Sequence, residues 1–225
     1  MRHQSWAWYT VRLAGSTDSG IGALSFWRGE LTMRIIAGIR RGHTIQGPSD
    51  SKGTRPTSDL VRESIFNIIG SEVEDRPVID LFAGTGALGL EALSRGARSA
   101  VFVEKRPQNA AVIRKNLAAL RFEGLGEVVV GNAYAWVKQF EPSSEDGPFV
   151  VFLDPPYREY EQSEKKLCLL IQTLVDRLPN GSTIVAEAGR ELGSEFLPDP
   201  ELWDLRRYGD THVAIRTLDQ SPLEG

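Results

Sequence analysis

From Val78 onward, short apolar runs alternate with longer amphipathic ones, and that alternation leaves few folds open to the chain. Val78–Phe82, Ala100–Glu104, Glu127–Val130, Phe149–Leu153 and Thr183–Glu187 read as strands, and the segments near Ala87–Arg95, Pro107–Leu120, Ala133–Phe140 and Glu161–Leu178 read as helices. In the second helix Ala110, Ile113, Leu117 and Leu120 recur at helical spacing to form a buried stripe, while Arg114 and Lys115 face outward. Strands that are apolar throughout need cover on both faces, and helices between them make parallel crossovers. The expected architecture is therefore α/β and Rossmann-like, a mostly parallel sheet between two helical layers. Leu202–Tyr208 and His212–Leu218, joined by Gly209-Asp210, add an antiparallel hairpin at the C-terminal end.

The 225 residues suffice for one such domain and a small appendage. No apolar run approaches the roughly 18–20 residues that span a bilayer, and the first thirty residues hold no secretory core, so the expectation is a cytoplasmic protein without a membrane segment. The single cysteine, Cys168, has no internal disulfide partner and cannot alone hold a structural zinc, and no metal is expected. Residues 1–32 place Trp6, Trp8 and Trp27 among Gly and Ser without periodicity. They read as a poorly ordered extension, or as the product of an upstream start with Met33 the natural first residue. Residues 33–70 read as a separate element: a hairpin of Arg34–Ile39 and His43–Gln46 around Gly42, a loop over Ser49–Thr54, and a helix from Pro56 to Gly70. Val61, Ile65, Ile68 and Ile69 share one face of that helix, which Thr57 to Asp59 can cap. Residues 71–225 form the catalytic domain.

Charge is divided unevenly between these parts. The chain carries a net −4, yet Met33–Arg62 holds Arg34, Arg40, Arg41, Lys52, Arg55 and Arg62 against only Asp50 and Asp59. A basic arm on an acidic domain suits contact with phosphates, and the same charge equally fits a solvated loop.

The run Asp80-Leu-Phe-Ala-Gly84-Thr-Gly86-Ala-Leu-Gly89 follows the first strand of the alternation and opens a helix. Glycines there permit a tight turn and close approach of a ligand to the backbone. Gly84, Gly86 and Gly89 satisfy the dinucleotide fingerprint, and Glu104 stands twenty residues beyond Gly84, where a carboxylate meets ribose hydroxyls. The loop alone thus admits a nicotinamide dehydrogenase or a methyltransferase. Asp80, at the mouth of the strand, suits a cationic ligand such as the amino-acid part of S-adenosylmethionine better than a pyrophosphate. Phe82, Ala83, Thr85 and Lys105 flank these positions and complete the expected cofactor set with Asn132 and Ala133, after the third strand. Asn132 is placed to meet an adenine edge, or to cap the following helix.

At the end of the fourth strand stands Asp154-Pro155-Pro156-Tyr157. Two prolines make the turn stiff and fix the direction of its carbonyls. The Tyr157 ring offers a flat face for a base, and Asp154 with the Pro155 carbonyl can accept hydrogen bonds from an exocyclic amine, with Asp154 also bordering the cofactor. Such an amine is weakly nucleophilic, so acceptors for its hydrogens and positioning against an electrophilic methyl group are what the chemistry needs.

Together these residues resemble the RsmD-type methyltransferases of 16S ribosomal RNA, which modify a guanine N2. The resemblance runs from Met33 to about Leu218 and rests on Met33-Arg-Ile-Ile-Ala-Gly38, Arg55-Pro-Thr57 with Arg62-Glu63 and Phe66-Asn67, Asp80–Glu91 and Asp154–Tyr157. It implies a seven-stranded fold, S-adenosyl-L-methionine as cofactor, and 16S rRNA within a small-subunit particle as the substrate of a monomeric enzyme. It also implies RNA contacts from Arg34, Arg40, Arg41, Lys52, Arg55, Thr57 and Arg62. Asn132 stands where related methylases often carry an acid. An adenine-N6 methyltransferase of DNA or RNA shares both loops, although no region here is large enough for a separate target-recognition domain. A nicotinamide-dependent oxidoreductase leaves Asp154–Tyr157 unexplained, and a non-catalytic RNA scaffold leaves Asp154 without a purpose.

Overall fold

The computed structural model describes residues 32–47, 59–143 and 145–219. An N-terminal hairpin of β1 (Thr32–Arg34) and β2 (Thr44–Gln46) precedes α1 (Asp59–Ile69). Then β3 (Pro77–Leu81), α2 (Ala87–Ser94), β4 (Ser99–Glu104), α3 (Pro107–Leu120), β5 (Gly126–Val130) and α4 (Ala133–Gln139) alternate. They are followed by β6 (Val150–Leu153), α5 (Tyr157–Gln162), α6 (Glu164–Arg177), β7 (Thr183–Ala188), β8 (Asp204–Tyr208) and β9 (Thr211–Thr217). The seven-stranded sheet runs in the order β5-β4-β3-β6-β7-β9-β8. Its first five strands are parallel, and β9 pairs antiparallel with both β7 and β8. This is the expected mostly parallel sheet with an antiparallel terminal hairpin.

Strand alternation sorts the side chains into two cores. Val78, Phe102, Phe152 and Val185 face a layer of α1, α2, α3 and the hairpin, built on Ile35, Ile45, Ile65, Phe66, Ile113 and Leu117. Ile79, Val103, Val151 and Ile184 face α4 and α6 through Val137, Leu167, Leu170 and Leu174. The predicted α3 stripe is buried at all four positions. Chain direction around the sheet reverses between β3 and β6, and in an open parallel sheet that reversal leaves a crevice at the carboxyl ends of the two strands.

Three local expectations change. Glu161–Leu178 is not one helix but α5 and α6, broken at Ser163. Tyr160 and Leu167 lie seven residues apart and are both buried, so their helical phase runs through the break and conceals it. Ile68, expected on the buried face of α1, is exposed, while Arg62 and Phe66 take the inner face beside Val61, Ile65 and Ile69. The hairpin strand expected over Arg34–Ile39 instead starts at Thr32 and ends at Arg34, because the amides that follow find another acceptor. Ile36 N–H and Ala37 N–H donate to the two carboxylate oxygens of Glu91 on α2, at 2.8 and 2.9 Å.

Arg62 is the clearest correction. Expected at the RNA surface, it is 0 % exposed. Its Nη2 donates to the Arg34 carbonyl at 2.6 Å and to Asp59 at 2.9 Å, and its Nε lies 3.9 Å from Glu91. Glu91, also 0 % exposed, takes a further bond of 2.8 Å from Arg95 Nε. Burial lowers the Arg62 pKa, while Glu91 and Asp59 hold its charge in place. Among the described residues Arg62 Nε and Nη1 find no hydrogen-bond partner, and Glu91, 3.9 Å from Nε, balances the charge. Removing one partner of such a buried network exposes the others to uncompensated desolvation. Glu91→Ala should therefore cost about 3–5 kcal/mol in urea denaturation. A loss below about 1 kcal/mol, the value of a surface pair, would show that Glu91 does not hold the hairpin down.

Candidate active site

Both sequence loops open into the crevice between β3 and β6. The strands stay in register to Leu81 and Leu153, so the glycine loop and Asp154–Tyr157 leave the sheet side by side at the same level. The glycine loop turns tightly: Phe82 adopts a left-handed φ of 61°, Ala83 N–H bonds the Val103 carbonyl at 3.1 Å, and Gly86 N–H bonds the Ala83 carbonyl at 2.7 Å. A bulky residue at positive φ is strained and persists where its surroundings over-determine it. Here the Phe82 ring meets Tyr134 edge-on at 5.7 Å. Gly86 has φ 78°, and a Cβ on Gly89 would lie 2.4 Å from the Phe102 ring. The third glycine is thus required by close helix–sheet packing rather than by a ligand.

Three carboxylates border this loop. Glu104, at the end of β4, accepts from Gly84 N–H at 2.8 Å and from Arg106 N–H at 2.7 Å. Each carboxylate oxygen has a second lone pair, which a ribose hydroxyl can use. Asp80 is 2 % exposed and accepts from Gly89 N–H at 3.0 Å in the first turn of α2. It therefore lies beneath the loop rather than at an open mouth. Burial drives its pKa well above the ordinary aspartate value, the Gly89 bond opposes this, and the charges of Asp154 and Glu104 raise it further. Carboxyl groups at the ends of β3, β4 and β6 suit a ligand carrying ammonium and sulfonium groups and ribose hydroxyls, so the residues present fit S-adenosylmethionine. Lys105 is exposed beside Glu104, and Ala133 is buried at the start of α4. Asn132 caps α4, its Oδ1 accepting from Tyr134 N–H at 2.9 Å and Ala135 N–H at 3.2 Å. Of its two expected roles, the structure assigns the carbonyl to the cap.

In the second loop Pro155 is buried, Asp154 and Pro156 are half-buried, and Tyr157 is 57 % exposed at the first position of α5. Tyr160, one turn on, fixes the helix: its hydroxyl donates to the Glu187 carbonyl on β7 at 2.7 Å, and its ring meets Phe196 at 5.3 Å. Tyr134 Oη donates to Glu159 at 3.0 Å, tying α4 to α5 across the crevice. Sequence reading missed these supports, although a tyrosine three residues after Tyr157 was visible.

Of the expected RNA contacts, Arg34 is exposed and pairs with Asp59 at 3.2 Å, and Arg41 is exposed. Arg40 is half-buried, with its Nε donating to the Leu120 carbonyl at 2.7 Å and its guanidinium lying over the Phe122 ring at 5.6 Å. Arg62 is interior, while Lys52, Arg55 and Thr57 lie outside the described residues. Among the described residues no cluster of metal-binding side chains occurs, and no helix is long and apolar enough to cross a membrane.

The family described as Conserved hypothetical protein 95 matches residues 33–217. Ribosomal RNA small subunit methyltransferase D of Escherichia coli K12 is 37% identical over 197 residues, 86% of this chain and 92% of that protein. This chain belongs to the RsmD family. The Haemophilus influenzae protein of the same name is 33% identical over 190 residues, covering 84% and 94% of the two chains. A solved Escherichia coli structure, the methyltransferase candidate YhhF, superposes with a TM-score of 0.66 at 35% identity, over 84% of this chain and 98% of its own. The methyltransferase fold is thus shared by this chain and its relatives.

The raised pKa of Asp80 has a testable sign. Between the ordinary aspartate pKa and the higher folded value, the folded state binds more protons than the unfolded one, so stability falls as pH rises through that window. Asn at this position keeps an acceptor for Gly89 N–H without the charge. Asp80→Asn should flatten the fall in thermal stability as pH rises above the ordinary aspartate range in the cofactor-free protein. A variant with the wild-type slope would remove Asp80 as its source.

Proposed function

We propose that this protein methylates the exocyclic N2 of a guanine in 16S rRNA, acting as a cytoplasmic monomer on a small-subunit particle. The observation that carries the chemistry is the register of β3 against β6, which sets Asp154–Tyr157 beside the glycine loop. When bound, S-adenosylmethionine supplies an electrophilic methyl group that the amine takes in an in-line displacement, without a covalent enzyme intermediate. Asp80, Phe82, Ala83, Gly84, Thr85, Gly86, Glu104, Lys105, Asn132 and Ala133 form the cofactor side, with Glu104 oriented toward ribose hydroxyls by the Gly84 and Arg106 amides.

Asp154 and the Pro155 carbonyl accept the two amine hydrogens, which draws the nitrogen lone pair out of conjugation with the ring. Asp154 is also the nearest acceptor for the proton that the amine sheds after transfer. Pro155 and Pro156 hold this geometry without rearrangement, and Tyr157 stacks on the base from its exposed position. Arg34 and Arg41 engage phosphates, joined by Lys52, Arg55 and Thr57. The relatives named for small-subunit rRNA favour this substrate over adenine N6, whose amine the same loop would accept.

Asp154→Ala should slow transfer by about a hundredfold or more while leaving S-adenosylhomocysteine affinity nearly unchanged. Equal loss of both would contradict its role at the amine. For the substrate, nucleoside mass spectrometry of 16S rRNA from cells lacking the gene should show one N2-methylguanosine missing, restored by the wild type but not by Asp154→Ala. An unaltered N2-methylguanosine content, or loss of a methyladenosine instead, would overturn the assignment.

A further inference from the structure

Among the described residues, one polar side chain in the helical layer connects the N-terminal hairpin to the cofactor loop. Asn116 lies on α3 and is 1 % exposed. Its Oδ1 accepts from Gln46 N–H at 2.8 Å, and its Nδ2 donates to the Gln46 carbonyl at 3.1 Å. It therefore pairs with β2 as a neighbouring strand would, on the edge that β1 leaves open. The same Nδ2 also donates to the carbonyl of Thr85 at 3.2 Å, and Thr85 lies in the glycine loop. From the other strand of the hairpin, Met33 Sδ lies 3.8 Å from Thr85 Oγ1. Ile113, one turn earlier on α3, would be 3.2 Å from a Cβ on Gly86, so the loop rests directly on this helix. Docking of the hairpin alone needs only the two Gln46 bonds. The third bond makes hairpin docking and loop shape parts of one arrangement.

We propose that Asn116 is a positioning residue for the cofactor loop, through which docking of the N-terminal hairpin sets cofactor affinity. The proposal rests on reading Gly84–Gly86 as the cofactor loop. By thermodynamic reciprocity, a ligand that favours the ordered loop must also favour the docked hairpin. S-adenosylhomocysteine, which cannot react, serves as the probe. In the full-length wild type it should slow hydrogen exchange at the Ile36, Ala37 and Gln46 amides, remote from any direct contact with the loop.

Asn116→Leu leaves the Gln46 and Thr85 groups unpaired, and should weaken S-adenosylhomocysteine about tenfold in calorimetry and abolish its effect on hairpin exchange. Leu117→Ala is the control: Leu117 is buried in the same core and its truncation destabilises the fold, but it should change the dissociation constant less than about twofold. Should Asn116→Leu not fold, Asn116→Asp makes the same comparison, because it keeps the acceptor for Gln46 N–H and loses both donated bonds. Equal changes in affinity for the Asn116 and Leu117 variants, or hairpin exchange indifferent to the ligand in the wild type, would overturn the proposal while leaving the cofactor assignment standing. Failure of the wild type to bind S-adenosylhomocysteine would overturn the cofactor reading and the proposal together.

Discussion

The buried carboxylate of Glu91 is the interaction on which the arrangement of the N-terminal part depends. A two-stranded hairpin is marginal in water by itself, and this one has only three paired positions on each strand. After Ile35, whose N–H still bonds the His43 carbonyl, the amides of Ile36 and Ala37 turn away from the hairpin, and inside a protein an unpaired N–H is costly. Glu91 accepts both and is itself charge-balanced by Arg62 and Arg95. Arg62 in turn holds the Arg34 carbonyl. The network closes on itself across α1, α2 and the hairpin, so those three elements are held together by one buried set of charges. Replacing so many charges with apolar side chains is often tolerated in proteins, but here the carboxylate also satisfies backbone groups that no apolar residue could.

A second concentration of charge, at the glycine loop, has the reverse character. Asp80, Glu104 and Asp154 influence one another closely enough that each added charge makes the Asp80 carboxylate harder to form. Asp80 accepts from the Gly89 amide and Glu104 from the Gly84 and Arg106 amides, and those bonds orient the two acids without neutralising them. Around Glu91 the countercharge belongs to the protein. Around the glycine loop the acids are held by backbone donors instead.

Much of this was legible in the sequence for a definite reason. Apolar strands separated by amphipathic helices permit few sheets, and the order of the two loops then puts them on neighbouring strands. Where burial and charge conflict, a count of charges misled. Arg62 stands three, four and seven residues before Ile65, Phe66 and Ile69, which is the spacing of the buried face, and the net positive charge of the arm obscured it. Asn116 follows Ile113 at the same helical step and interrupts the apolar stripe, a polar residue in a core position that needed a partner. Its partners, Gln46 and Thr85, are 70 and 31 residues away, and no local pattern names them. The break at Ser163 was hidden because the helical phase survives it.

Strand alternation also explains why the hairpin sits where it does. Val78, Phe152 and Val185 point to the core shared with the hairpin and α1, while Ile79, Leu153 and Ala186 point to the other. Two residues along their strands from Val78 and Val185, Asp80 and Glu187 therefore project on the hairpin side. Asp154 lies within electrostatic reach of Asp80, and both Asp154 and Glu187 act on Tyr160. These acids at the strand ends and the exposed Arg34 and Arg41 of the hairpin thus belong to one side of the sheet. In the function proposed above, this arrangement lets the exposed arginines attract phosphates while the acids repel them, which keeps a nucleic-acid backbone away from the strand ends.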